Sequence, residues 1–213
     1  MYVGRIVAVG RTRAGSNAAL YRVSSRSFPN RMAVEVEGRL AVVPQPGHEG
    51  DLQKNPYIAY NCLRIAGELA VATNGSHTDP IAEKLALGVP PRDALASVLL
   101  AHDYEKDALQ TPRIAAIVPR EGDVGWLAIV RHDALVVEAV ALEPGRASYL
   151  ATYEHDDVRD AQTVEFDAAD AEACARFAAT GGAFAALEKP VTSGAALASS
   201  RGFRLGTFLV NPQ

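Results

Sequence analysis

The chain has 213 residues, is 48% hydrophobic and carries a formal net charge of −4, which is enough apolar material for one substantial core and one domain over residues 1–213. That acidic balance excludes a non-specific nucleic-acid binder, whose affinity rests on a basic surface neutralising many phosphates, and leaves room for a small anionic ligand in a local pocket. The two cysteines, Cys62 and Cys174, form no CxxC or Cys/His cluster, so neither a zinc site nor a disulfide framework is supported and both read as buried small hydrophobes.

The first residues lead straight into an alternating strand, without a basic region followed by an apolar one, and no run approaches membrane-spanning length. A cytoplasmic protein with no membrane partner is expected. Residues 2–9 read as a strand, 10–17 as a polar loop and 18–25 as a second strand, paired in a hairpin. The second strand runs into Tyr21-Arg-Val-Ser-Ser-Arg-Ser-Phe-Pro-Asn-Arg31, which packs three arginines and three serines around a Phe28-Pro29-Asn30 turn. Planar guanidinium donors with hydroxyls beside them fit phosphate oxygens, so an anion site is the functional reading and a solvated hairpin tip the bland one.

Residues 32–37 and 40–43 read as a tight hairpin across Gly38-Arg39, with glutamates outward and valines inward, ended by a break over 44–50. Residues 57–65 and 68–73 make a further pair across Ala66-Gly67, which puts Tyr57, Ala59 and Asn61 on one face and Ile58, Tyr60 and Cys62 on the other. Thr78-Asp79-Pro80 is a helix start, a cap residue with proline at the first helical position, and Gly88-Val89-Pro90 is its stop. A second helix opens at Pro91, places Leu95, Val98 and Leu99 on an apolar face and ends at His102-Asp103. Residues 112–118, 124–131, 134–141 and 147–153 read as a four-strand antiparallel meander. An alanine-rich helix over 168–179 ends at Gly181-Gly182, a second short helix covers 183–189, and strands over 191–199 and 203–210 close the chain. Strands, then helices, then strands argue for segregated α+β, with no glycine-rich nucleotide fingerprint.

The Tyr21 to Arg31 block resembles the signature of the archaeal-type inosine monophosphate (IMP) cyclohydrolases. Asn55-Pro-Tyr-Ile-Ala-Tyr-Asn-Cys62, Thr73-Asn-Gly-Ser-His77, Asp103-Tyr-Glu-Lys-Asp107 and Thr111-Pro-Arg-Ile-Ala115 are similar to that family's other blocks and fall in the same order, while residues 120–190 carry little that is diagnostic. The resemblance implies a four-layer αββα sandwich of two antiparallel sheets flanked by helices, similar to N-terminal nucleophile hydrolases. It also implies closure of the purine ring of 5-formamidoimidazole-4-carboxamide ribonucleotide (FAICAR) to IMP with loss of water, and a homo-oligomer.

That reaction needs a proton donor for the formyl oxygen and a base for the amide, with no cofactor, no metal and no covalent nucleophile. On the resemblance the catalytic candidates are Arg22, Tyr60 and Glu105, with Asp103 as a second acid. Arg26, Ser27, Asn30 and Arg31 are assigned to the phosphate and ribose, and Asn74, Ser76, His77, Lys106 and Arg113 to the pocket wall. The structural alternatives are a core aromatic for Tyr60, a solvated helix-end charge run for residues 103–107 and a plain turn for Asn74-Gly75. His48, His132 and His155 read as surface residues, and His102 as a helix C-terminal residue facing the dipole. Two rivals remain from the sequence: a non-catalytic purine-nucleotide-binding relative, and an amide hydrolase of the same fold. The second is expected to lack its nucleophile, since removal of Met1 would expose Tyr2 rather than Cys, Ser or Thr and no upstream propeptide is expected.

Overall fold

The computed structural model describes residues 1–210. Its strands are β1 (Arg5–Arg11), β2 (Asn17–Ser24), β3 (Arg31–Val36), β4 (Arg39–Pro44), β5 (Tyr60–Ala66), β6 (Leu69–Thr73), β7 (Arg113–Pro119), β8 (Val124–Val130), β9 (Leu135–Ala141), β10 (Arg146–Ala151), β11 (Gln162–Glu165), β12 (Pro190–Ser199) and β13 (Gly202–Leu209). The helices are α1 (Asp51–Lys54), α2 (Thr78–Ala86), α3 (Pro91–His102) and α4 (Ala171–Thr180). Six strands form one antiparallel sheet in the order β11-β10-β1-β2-β12-β13, and seven form the other in the order β3-β4-β5-β6-β7-β8-β9.

Strand alternation divides the apolar residues among three layers of core. Val7, Val9, Ala19, Tyr21 and Val23 face the second sheet, where Leu40, Val42, Leu63, Ile114 and Leu127 meet them. Ile6, Ala8, Ala18 and Leu20 on the other face pack against Ala171, Cys174, Ala175 and Ala178, the helical stripe of α4. The outer face of the seven-stranded sheet offers Val71, Ala115, Ile117 and Ala128 to Ile81 and Leu85 of α2 and to Leu95, Val98 and Leu99 of α3. The layers are therefore helix, sheet, sheet, helix, as the resemblance implied. A Cβ on Gly206 of β13 would lie 2.3 Å from the backbone of Ala171, so glycine there is what lets α4 lie close on the sheet. Among the described residues no helix is long and apolar enough to cross a membrane.

Several elements differ from the sequence reading. The turn between β3 and β4 is Glu37-Gly38, both with positive φ (50° and 74°), one residue earlier than expected. Its inward residues are Ala33, Leu40 and Val42, and Val36 is exposed. Residues 56–58 form a 3₁₀ turn begun by Pro56, so β5 starts only at Tyr60 and Tyr57 and Ile58 belong to no strand face. Thr78 lies inside α2 rather than capping it, because its hydroxyl is taken by Asn61 O and Gly75 O. The expected four-strand meander breaks after three: β10 leaves β9 and pairs with β1 in the other sheet. Its alternation suits either sheet, and the crossing is made by Leu142, buried between the sheets, and by Gly145 at φ 78°. The segment expected as a second short helix is a 3₁₀ turn, Gly182–Ala186, and the short polar strand β11 carries too little alternation to be read from sequence.

Two buried polar side chains tie elements together. Arg22, 0% exposed on β2, donates Nη1 to the carbonyls of Ala179 (2.9 Å) and Phe184 (2.8 Å), Nη2 to Leu187 O (2.9 Å) and Nε to Ser24 Oγ (3.0 Å). Burial pushes its pKa down to about 10. His77, also 0% exposed, bonds Ile114 O through Nε2 at 3.1 Å, and burial with Arg113 and His102 nearby lowers its pKa to about 3.

Arg22→Met takes a donor from three main-chain carbonyls, of which Phe184 O keeps the Leu187 N–H while those of Ala179 and Leu187 are left unpaired at about 1–3 kcal/mol each, less the desolvation recovered from the guanidinium, so a net loss of about 2–4 kcal/mol is expected in urea unfolding. An unchanged urea midpoint would show that these carbonyls find other partners. His77 stays neutral in the folded chain while the unfolded chain binds a proton below about pH 6.5, so its contribution to stability is lost as pH falls from about 6.5 toward 3, at up to roughly 1.4 kcal/mol per pH unit. His77→Gln should flatten that slope across a series of urea melts.

Candidate active site

At one end of the sandwich the start of β1, the turn after β2, the start of β5 and the loop between α3 and β7 converge on adjoining clefts. One, of about 170 Å³, is lined by Tyr2, Arg5, Ser27, Arg31, Tyr60 and Glu105 among others. A second of about 230 Å³ is walled by Tyr57, Tyr60, Ser76, Glu105 and Arg113. A third of about 400 Å³ takes in Tyr57, His102, Lys106, Glu105 and Arg113. Tyr57 and Glu105 border all three.

Glu105 is the electrostatic centre. Its carboxylate lies 3.8 Å from Arg5 Nη2 and 3.5 Å from Arg113 Nη1, with its side chain 22% exposed. Burial raises its pKa above the ordinary glutamate value, Asp107 adds to that, and the two arginines oppose it without winning. The loop that carries it is built from its own polar residues. Asp103 ends α3 at φ 55° and its main-chain oxygen accepts from Arg113 Nε at 2.9 Å. Asp107 accepts from the amide and hydroxyl of Thr111 at 2.8 and 2.7 Å, and Tyr153 joins that hydroxyl at 2.8 Å.

Tyr60 reaches the cleft because of a β-bulge. The register of β4 against β5 shifts between Leu40, opposite Leu63, and Ala41, opposite Asn61. Tyr60 and Cys62 before the shift and Leu63 and Ile65 after it thereby all face the core between the sheets, and Asn61 and Arg64 both turn outward to Asp79 of α2. The Tyr60 hydroxyl lies 2.6 Å from that of Tyr21. Arg5 stands beside both: burial works against its charge, and Tyr60, Tyr21, Glu105 and Tyr153 more than offset that, leaving its pKa raised.

The predicted residues thus divide. Tyr60, Glu105, Ser27, Arg31, Ser76, Lys106 and Arg113 line the clefts. Arg22 does not: it points to the opposite face of β2, and its donors are consumed by carbonyls beneath α4, which removes it from the catalytic set. Asp103 is half exposed and its pKa is held low by the Lys106 ammonium at 2.5 Å and by the Tyr104 amide, which favours its anion over the protonated form a second acid needs. Arg26 is exposed, bonds Glu188 at 3.0 Å and covers the Tyr2 ring at 4.2 Å. Asn30 meets His48 at 3.1 Å, which ties that histidine to the turn. Asn74 spends both ends of its amide on Pro112 O and the Ile114 N–H, and His77 is enclosed, so both shape the wall from behind rather than line it. His102 bonds Val98 O at the end of α3 and borders the third cleft.

Sequence reasoning missed Arg5, Tyr57, Tyr153 and Tyr21. Arg5 carried a signal, a cation opening an otherwise apolar strand; Tyr57 was assigned to a strand face although it stands 77% exposed, held on the rim by Asn55 accepting the Tyr57 N–H. Among the described residues no group of three or more His, Cys, Asp or Glu side chains is placed to hold a metal.

A family model described as IMP cyclohydrolase-like protein matches residues 2–202. The chain is 45% identical over 196 residues to the IMP cyclohydrolase of Methanosphaera stadtmanae, covering 92% of this chain and 94% of that protein. It is 46% identical over 211 residues to that of Methanocella arvoryzae, with 98% of each covered, and 49% identical over 176 residues to that of Halobacterium salinarum, with 83% of each covered. With near-complete coverage on both sides, the chain belongs to the IMP cyclohydrolase family.

Proposed function

We propose that this chain closes the purine ring of FAICAR to give IMP and water. The observation that carries the site assignment is that Tyr60 and Glu105, far apart in sequence, border the same two clefts. Nucleophile and electrophile belong to one molecule, so holding the carboxamide nitrogen against the formyl carbon replaces part of the barrier by orientation, worth roughly 7–11 kcal/mol at best. One proton leaves the carboxamide nitrogen and one the formamido nitrogen. Both end on the formyl oxygen, which departs as water.

In this reading Glu105 is the base: its raised pKa makes it a better proton acceptor than an ordinary glutamate while Arg5 and Arg113 keep the carboxylate available. Tyr60 is the donor to the formyl oxygen as negative charge develops there, with the Arg5 guanidinium supplying fixed positive charge beside it. Ser27 and Arg31 face the phosphate and ribose, while Ser76, Lys106 and Arg113 border the rest of the nucleotide. The same reading carries one catalytic domain, a cytoplasmic location and a homo-oligomeric assembly, the last checked by sedimentation equilibrium.

Ring closure changes ultraviolet absorbance directly, so one assay serves three expectations. Tyr60→Phe should lower kcat by about 10²–10³-fold with modest change in KM; near-wild-type turnover in a folded variant would return Tyr60 to core packing. The kcat/KM profile should fall on the acid side around a pKa above the ordinary glutamate value, because Glu105 must be ionised to accept a proton, and Glu105→Gln should remove that limb together with most of the rate. Ser27→Asp adds charge at the phosphate end, so nucleotide affinity should fall by about tenfold or more and nucleoside affinity hardly at all. Equal losses for both would place the phosphate elsewhere.

A further inference from the structure

Tyr21 has no role in the reading above, yet it is the largest polar-tipped side chain in the core between the sheets. It is 0% exposed, its ring meets the Tyr60 ring edge-on at 6.4 Å, and its hydroxyl lies 2.6 Å from Tyr60's. Either hydroxyl can be the donor on distance alone. Surroundings decide it. Among the described residues Tyr60 is the one hydrogen-bonding partner of the Tyr21 hydroxyl, so if Tyr60 donated, the Tyr21 hydrogen would be sealed in the core without an acceptor. Tyr60 is half-buried and borders two clefts, so its hydrogen has somewhere else to go.

We infer that Tyr21 donates to the Tyr60 oxygen and thereby acts as a positioning residue for ring closure, turning the Tyr60 proton toward the cleft and steadying the phenolate left when that proton moves. The inference rests on Tyr60 being the proton donor. No bond to Tyr21 is made or broken: the Tyr60 proton passes to the formyl oxygen, the proton taken from nitrogen by Glu105 restores it, and Tyr21 keeps its own hydrogen throughout. Tyr21 suits this part, since burial first and Tyr60 second raise its pKa well above the ordinary tyrosine value. The other titratable or charged groups around the pair are Arg5 from β1, Arg31 at the start of β3, Cys62 from β5, Glu105 and Asp107 from the loop before β7, and Tyr2 and Tyr153 at the rim.

The test is Tyr21→Phe made both in the wild-type chain and in Tyr60→Phe. In the wild-type chain kcat should fall about five- to tenfold with KM unchanged, and the alkaline limb of kcat should move to higher pH by roughly half to one unit, because the Tyr60 phenolate has lost a donor. In the Tyr60→Phe background the same change should cost nothing further. An equal loss in both backgrounds, or an unmoved alkaline limb, would make Tyr21 a packing residue and overturn the inference while leaving Tyr60 in place. Full activity in Tyr60→Phe alone would instead overturn the assignment beneath it, and the inference with it.

Discussion

β2 is buried along its whole length, and the polar side chains it carries find their partners inside the protein, with the Asn17 Oδ1 the buried exception. Much of the architecture follows from how that is done. Asn17 at one end donates to the carbonyls of Pro119 and Gly122 and so ties the strand to the end of β7 in the opposite sheet. Tyr21 points into the space between the sheets and finds Tyr60; Arg22, its neighbour, points the other way and finds the carbonyls at the end of α4 and in the turn after it. A strand with period two sends adjacent residues to opposite faces, so two tips side by side in sequence anchor two different layers.

The same economy appears around Glu105. Two carboxylates two positions apart on one loop have opposite fates. Asp103, facing solvent beside Lys106, is stabilised as the anion, whereas Glu105, enclosed between guanidinium groups, has its pKa raised because burial outweighs both arginines. Desolvation and ion pairing compete at Glu105, and the balance leaves a carboxylate suited to exchanging a proton rather than to serving as a permanent counter-ion.

Alternation, or in β2 and β12 a continuous run of mostly apolar residues buried on both faces, made most strands legible, including the first and last hairpins, and the turns between strands are marked by Gly, Asp or Asn. It failed where local pattern is indifferent to partner: β10 alternates equally well beside β9 or beside β1, and the choice is made by tertiary packing around Leu142. In the site, Tyr60 and Glu105 stood out through the blocks that carry them. Arg22 is misread from sequence because a guanidinium bonding carbonyls and a guanidinium awaiting phosphate look the same in a string of letters; the carbonyls at the end of α4 and in and just after the 3₁₀ turn at Gly182–Ala186, far along the chain, tell them apart. The bulge in β5 was invisible for a related reason, since it is defined by a partner strand.

The two sheets are wired differently. In the seven-stranded sheet every neighbour is the next strand along the chain, whereas in the six-stranded sheet β1 waits for β10 and β2 waits for β12. Contacts between distant segments cost more chain entropy to close, so the meander can zip locally while the other sheet depends on its latest-made strands. During synthesis, then, the loop bearing Glu105 and the strand bearing Tyr60 leave the ribosome well before β12 exists to hold β2 in its final register. The end of the sandwich where the clefts open is completed from the far end of the polypeptide.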